Sequence, residues 1–266
     1  MALTSEGKRL TEAHRKQQIL LSTRPMAKAR LIYGGVLDVA DLDRSSTLWS
    51  ELTQQAILDG YMDSMTLAAA YMDRYTMAEI GSTESIVTPA MDRTAVATDL
   101  RINGPVAIKK KIGQGIPPEE AKRQAMSGLL MAVQQQVLAG GRDLIDKTVR
   151  YSGKDGRYRR VTDGKPCAFC AMLAGRGPVY SEETSSFRSH RACGCAAEQV
   201  FGDWVPTDRE ALWRASYKQA ALDADDAGES RLAPSLPKEQ YEDTILYRMR
   251  RNAPKLFSDG VLPKEK

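Results

Sequence analysis

The chain has 266 residues, 42% of them apolar and 27% charged, with 38 Lys and Arg against 34 Asp and Glu for a net charge of +4. That length suffices for one large domain or two small ones, and an apolar share of this size excludes wholesale disorder. Four Phe and three Trp against eleven Met point to adaptable, helix-rich packing rather than a tightly specified β core.

In chain order, the first thirty residues are interrupted by Glu6, Lys8, Arg9, Glu12, Arg15 and Lys16, so no signal peptide is expected. No apolar run reaches the roughly 18 residues of a membrane span. The expectation is a soluble protein made in a reducing cytoplasm, with its cysteines as thiols rather than disulfides. Residues 5–22 read as a charged helix in which His14, beside Arg15 and Lys16, is expected to be exposed, and residues 24–44 show no clear period. From Ser45 to Glu79, Leu48, Leu52, Ala56, Met62, Met65, Ala69 and Met72 recur at three- and four-residue steps, which predicts a long amphipathic helix with Gly60 as a place to bend. The Gly-, Ser- and Pro-containing segment 81–94 reads as a loop. Pro117 and Pro118, then Glu119 and Glu120, open a second long helix carrying Ala121, Ala125, Leu129, Val133 and Val137 on one stripe. Gly140-Gly141 is expected to end it, with a short helical piece over 142–150.

After Arg150 the pattern changes. β-branched and aromatic residues flank Asp155-Gly156, a dipeptide that favours tight turns, and predict a β-hairpin; "AAEQVF" at 196–201 reads as a returning strand. Thr207 with Glu210 forms a capping-box pattern ahead of Leu212, Trp213 and Tyr217. Residues 222–237 read as an acidic linker and 238–252 as a last helix with a basic end. Residues 142–200 hold eleven Lys and Arg against seven Asp and Glu, so the positive excess of the whole chain lies there.

All four cysteines and one of the two histidines fall between Cys167 and Cys195, spaced as Cys-x2-Cys, nineteen residues, then His-x2-Cys-x-Cys. A Cys-x2-Cys pair can hold one face of a tetrahedral Zn²⁺, and the second group can supply the other. Cys167, Cys170, His190 and Cys193 are the expected ligands, with Cys195 either a neighbour or the true fourth one; the plainer readings are buried thiols or a redox pair. A small hairpin module buries too little apolar surface to fold unaided, and a structural zinc supplies about 10–16 kcal/mol of apparent binding free energy coupled to folding. Catalysis is not expected. Pro166–Cys170 matches half of a zinc-deaminase signature, but no His-x-Glu precedes it. No P-loop or dinucleotide fingerprint is present, and a hydrolase or transferase would have to act through Glu182 or Glu183. Arg157, Arg159 and Arg160 on the hairpin arm are candidate phosphate contacts, so a zinc-stabilised DNA-binding module is a second functional class, although a solvated basic face explains the same charges.

The runs "GRYRRVTDGKPCAFCAMLAGRGPVY" and "HRACGCAAEQVF" resemble the MuF-like minor head proteins of tailed bacteriophages, in the version found in phages of actinobacteria. The resemblance covers roughly residues 140–203 and places Cys167, Cys170, His190, Cys193 and Cys195 on the family's motif. It implies a structural, non-enzymatic virion component located inside the head near the portal vertex and made in the host cytoplasm. The implied partner is the portal protein, with the major capsid or scaffold protein as further candidates, a weak DNA contact and no membrane. It also implies a role in capsid assembly that extends to DNA packaging or ejection. Two features depart from the pattern: Arg191-Ala192 stands where relatives often have Pro, Asn or Asp, and no room remains for the protease that some relatives carry. The expected fold is α+β and predominantly helical: a long-helix region over 1–141, a basic zinc-binding module with β-structure over 142–203, and a helical tail with an acidic linker over 204–266.

Overall fold

The structure is a computed structural model that describes residues 2–152, 156–178, 187, 189–228 and 238–261. Among the described residues it is predominantly helical with one two-stranded sheet, and it divides into two compact units. One comprises Thr4–Lys154 with Ser185–Gly194, the other Met1–Leu3, Asp155–Thr184 and Cys195–Lys266.

The first unit is built on three long helices, α1 (Ser5–Val36), α2 (Leu42–Ile80) and α5 (Pro118–Tyr151). Thr4 caps α1 by accepting from the Gly7 N–H, and Asp41 caps α2 by accepting from Arg44. At the far end of α2, Gly81 takes φ 68 and its N–H donates to the Met77 carbonyl, closing the last turn. Tyr33, Trp49, Ile57, Leu100, Ile108, Leu129, Val133 and Val137 form the buried core. Between α2 and α5 the chain inserts α3 (Arg93–Arg101), a π turn (Ile102–Val106) and α4 (Ala107–Gly113), none of which the sequence period announces.

Three local expectations are corrected here. Residues 24–36 continue α1, with Pro25 accommodated inside the helix. Gly60 does not interrupt α2; its missing side chain leaves room for Pro25 and Val137. Gly140-Gly141 does not end α5, which runs on to Tyr151. At Gly140 an added Cβ would collide with the Tyr61 carbonyl, so the glycine serves close helix packing instead of chain reversal. The Gly141 N–H donates to Ser64 Oγ (2.9 Å), which in turn donates to Gln18 Oε1 (2.7 Å), a buried polar link joining all three helices.

The second unit holds β1 (Arg157–Val161), α6 (Ala168–Gly175), β2 (Ala196–Val200), α7 (Asp208–Asp226) and α8 (Lys238–Asn252). β1 pairs antiparallel with β2, Arg159 opposite Glu198 and Val161 opposite Ala196. The expected local hairpin is therefore replaced: the chain before it is helical through Tyr151, and the partner strand is the "AAEQV" segment. Residues 153–155, including Asp155, lie outside the described residues. Thr207 and Glu210 make the complete capping box at the start of α7, with Thr207 N–H donating to Glu210 Oε2 (2.8 Å). α7 takes in Leu222–Asp226, so the front of the expected linker is helical; residues 229–237 lie outside the described residues. Ala171, Met172, Trp213, Ala220, Ile245, Met249 and Phe257 form this unit's own core.

Candidate metal centre

Cys167 sits at the N-cap of α6, and its Sγ accepts from the Cys170 N–H (3.4 Å). The Cys-x2-Cys pair is thus the entry to a helix. Cys170 points inward, only 1% exposed, and the Arg160 guanidinium donates to its sulfur at 3.7 Å. Cys195 immediately precedes β2 and is buried as well. None of the four cysteines is in a disulfide.

His190 and Cys193 share a tight turn in which the Cys193 N–H donates to the His190 carbonyl (3.2 Å). The turn requires Ala192 at φ 58, the left-handed region that Asn and Asp tolerate better than other side-chain-bearing residues. Ala192 therefore holds a strained position in this turn. His190 Nδ1 lies 2.6 Å from the Arg191 carbonyl, which can only accept, so Nδ1 carries the proton and Nε2 keeps its lone pair for a metal. Gln135 donates to the Ser189 carbonyl (2.7 Å), and Arg142, stacked over the Phe187 ring, donates to the Cys193 carbonyl.

The ligand atoms fall into two groups of three: Cys167, Cys170 and His190, and Cys170, Cys193 and Cys195, with the atoms of each group within 4.8 Å of one another. Two thiolates on a tetrahedral Zn²⁺ stand about 3.8 Å apart given a Zn–S bond near 2.3 Å, so the spacing and the sulfur-and-imidazole donor set fit zinc. Cys170 belongs to both groups.

Arg142 and Arg160, each buried against a cysteine, were not legible as neighbours of the cluster, and the sequence pattern reads Arg160 as a phosphate contact. They precede the cluster in sequence, and no spacing rule links them to it.

Of the three candidate phosphate contacts, two are buried and one is partly exposed. Arg159 is buried and pairs with Glu198 (2.6 Å) and Glu210, and Arg160 is 2% exposed at Cys170. Arg157 is half-buried and donates to the Gly202 carbonyl (3.2 Å). With the strand paired to β2, Arg159 and Arg160 turn inward and face no solvent phosphate. Glu182 and Glu183 lie outside the described residues, as do Val179 and Tyr180 of the RGPVY segment.

Among the described residues, no helix is long and apolar enough to cross a membrane. No curated protein and no solved structure matches the chain. A family model described as VG15 protein matches residues 8–220, spanning the long helices, the cysteine cluster and most of α7. On that match, the chain belongs to the VG15 protein family.

Proposed function

We propose that this protein is a minor structural component of a tailed-phage head, of the MuF-like kind, which associates with the portal from inside the head during assembly and assists DNA packaging or ejection. The observation that carries the proposal is the match to VG15, a family of viral proteins, over residues 8–220. The order Cys-x2-Cys, RGPVY, His-x2-Cys-x-Cys adds the finer assignment. Cys167, Cys170, His190, Cys193 and Cys195 supply the donors from which four hold a structural zinc. When bound, the ion ties the N-terminus of α6 to the chain around β2 and the His190 turn. Four protein donors complete a tetrahedral shell and leave no place for a reacting water, which suits a scaffold and not an enzyme. The rival DNA-binding reading loses Arg159 and Arg160 to internal partners.

Quantitative mass spectrometry of purified virions and procapsids, paired with native mass spectrometry of the chain with and without portal protein, tests the proposal. The expected result is a low-copy particle component that forms a portal complex and carries one zinc per chain. Absence from both particle types would overturn it.

A further inference from the structure

The three-helix unit carries a groove of about 350 Å³ where α2, α3 and the π turn meet. Ser46, Ser50, Thr94 and Thr98 are among its lining residues, and no carboxylate is. Its apolar surface comes from Trp49, Ala97 and Pro105. Two donors belonging to its lining residues have no partner among the described residues. Arg101 is exposed at the rim with no ion pair, while Asp99, two residues before it, accepts from Asn103 (2.7 Å) and Gln136 (3.2 Å). The Trp49 indole N–H is fully buried and unbonded, and an indole N–H can only donate.

The π turn fixes this arrangement. Its extra residue per turn, with Pro105 inside it, brings Gly104 flat onto the benzo edge of Trp49, where an added Cβ would lie 2.9 Å from Cζ3. π turns of this kind inside α-helices recur at functional sites. A concave, partly apolar site with a free guanidinium at its rim suits an anionic group on a flat body.

We infer that this groove binds a small aromatic carboxylate, with the carboxylate at Arg101 and the ring against Ala97 and Pro105 beside Trp49. The test is a titration of ¹⁵N-labelled full-length protein with benzoate, benzamide and inorganic phosphate, following the three indole N–H signals after backbone-linked assignment. Benzoate is expected to move the Trp49 signal saturably in the millimolar range while Trp204 and Trp213 stay in place. Benzamide, lacking the charge, and the Arg101→Gln variant with benzoate are each expected to bind at least about tenfold more weakly, the loss of one charge-assisted contact. Arg101 is exposed and unpaired, so Arg101→Gln leaves the fold intact, as unchanged Trp204 and Trp213 signals report. A Trp49 signal that never saturates, benzamide binding as well as benzoate, or an unchanged Arg101→Gln affinity would each overturn the inference. Phosphate matching benzoate would overturn the assignment of a flat apolar body.

Discussion

Single side chains in this protein answer to neighbours that are distant in sequence, and His14 is the clearest case. It sits among charges on α1, yet it is buried and stacked on Tyr71 of α2, ring centroids 4.3 Å apart. Burial, reinforced by the nearby Arg74 charge, lowers its pKa to about 3. The unfolded chain takes up that proton near the ordinary value of 6.5, so protonation favours unfolding and stability falls as pH drops from about 6.5 toward 3. His14→Phe should flatten this acid limb in urea melts run across that range. Asp143 works in the opposite direction. Burial raises its pKa to about 6, against the lowering effect of the Tyr61 hydroxyl that donates to it at 3.3 Å. The folded state therefore holds this proton more tightly than the unfolded one, and stability is lost as pH rises from about 3.8 through about 6. Asp143→Asn should gain about 2–3 kcal/mol at pH 8 and almost nothing near pH 4. At Ala192 the left-handed backbone costs about 1 kcal/mol, so Ala192→Gly should raise the unfolding free energy by that order and Ala192→Val should lower it.

At the scale of elements, the long helices were legible from their period, but not the buried face of α2: Leu48, Leu52 and Met62 of the expected stripe are exposed, and Trp49, Thr53, Ile57 and Tyr61 are buried instead. The span 45–79 falls inside α2, and Thr207 with Glu210 marks the start of α7 to the residue. The failures share a cause: a local signal read without its tertiary competitor. Gly140-Gly141 looks like a stop, but the Tyr61 backbone requires a residue with no Cβ there. Gly140→Ala should cost about 2–4 kcal/mol by denaturant melts without shortening α5, because the helices must part to admit a methyl group. Asp155-Gly156 looks like a hairpin, but β1 finds its partner in Ala196–Val200, the segment that reads as a returning strand, because a short-range turn rule does not weigh a distant partner. That pairing makes Arg159 a buried hub between Glu198 on β2 and Glu210 on α7. Glu210→Ala removes half of the capping box and one of Arg159's carboxylates together. A loss of about 3–5 kcal/mol is expected, and a loss under 1 kcal/mol would show that the hub contributes little.

For the whole molecule, the Cys/His spacing made the candidate centre legible while its surroundings stayed hidden. The five donors were named from sequence, whereas the helix entry at Cys167 and the buried guanidiniums of Arg142 and Arg160 needed the fold. If zinc replaces a hydrophobic core around the sheet, its removal acts locally. Hydrogen exchange after treatment with a strong chelator should show lost protection in 157–161, 168–175 and 196–200, with α2 unchanged because its Leu42, Trp49 and Ile57 belong to a separate apolar core. Retained protection in both strands would argue that packing alone sustains the sheet.

The antiparallel pairing of Arg157–Val161 with Ala196–Val200 also orders events during synthesis. The first strand leaves the ribosome with its edge unsatisfied and waits for every thiol to be translated before a neighbour exists. Over that interval the nascent segment is open to oxidation and to mispairing with other chains, so the yield of correctly assembled protein should depend on the thiol redox state and free zinc of the cell at the moment translation passes Val200.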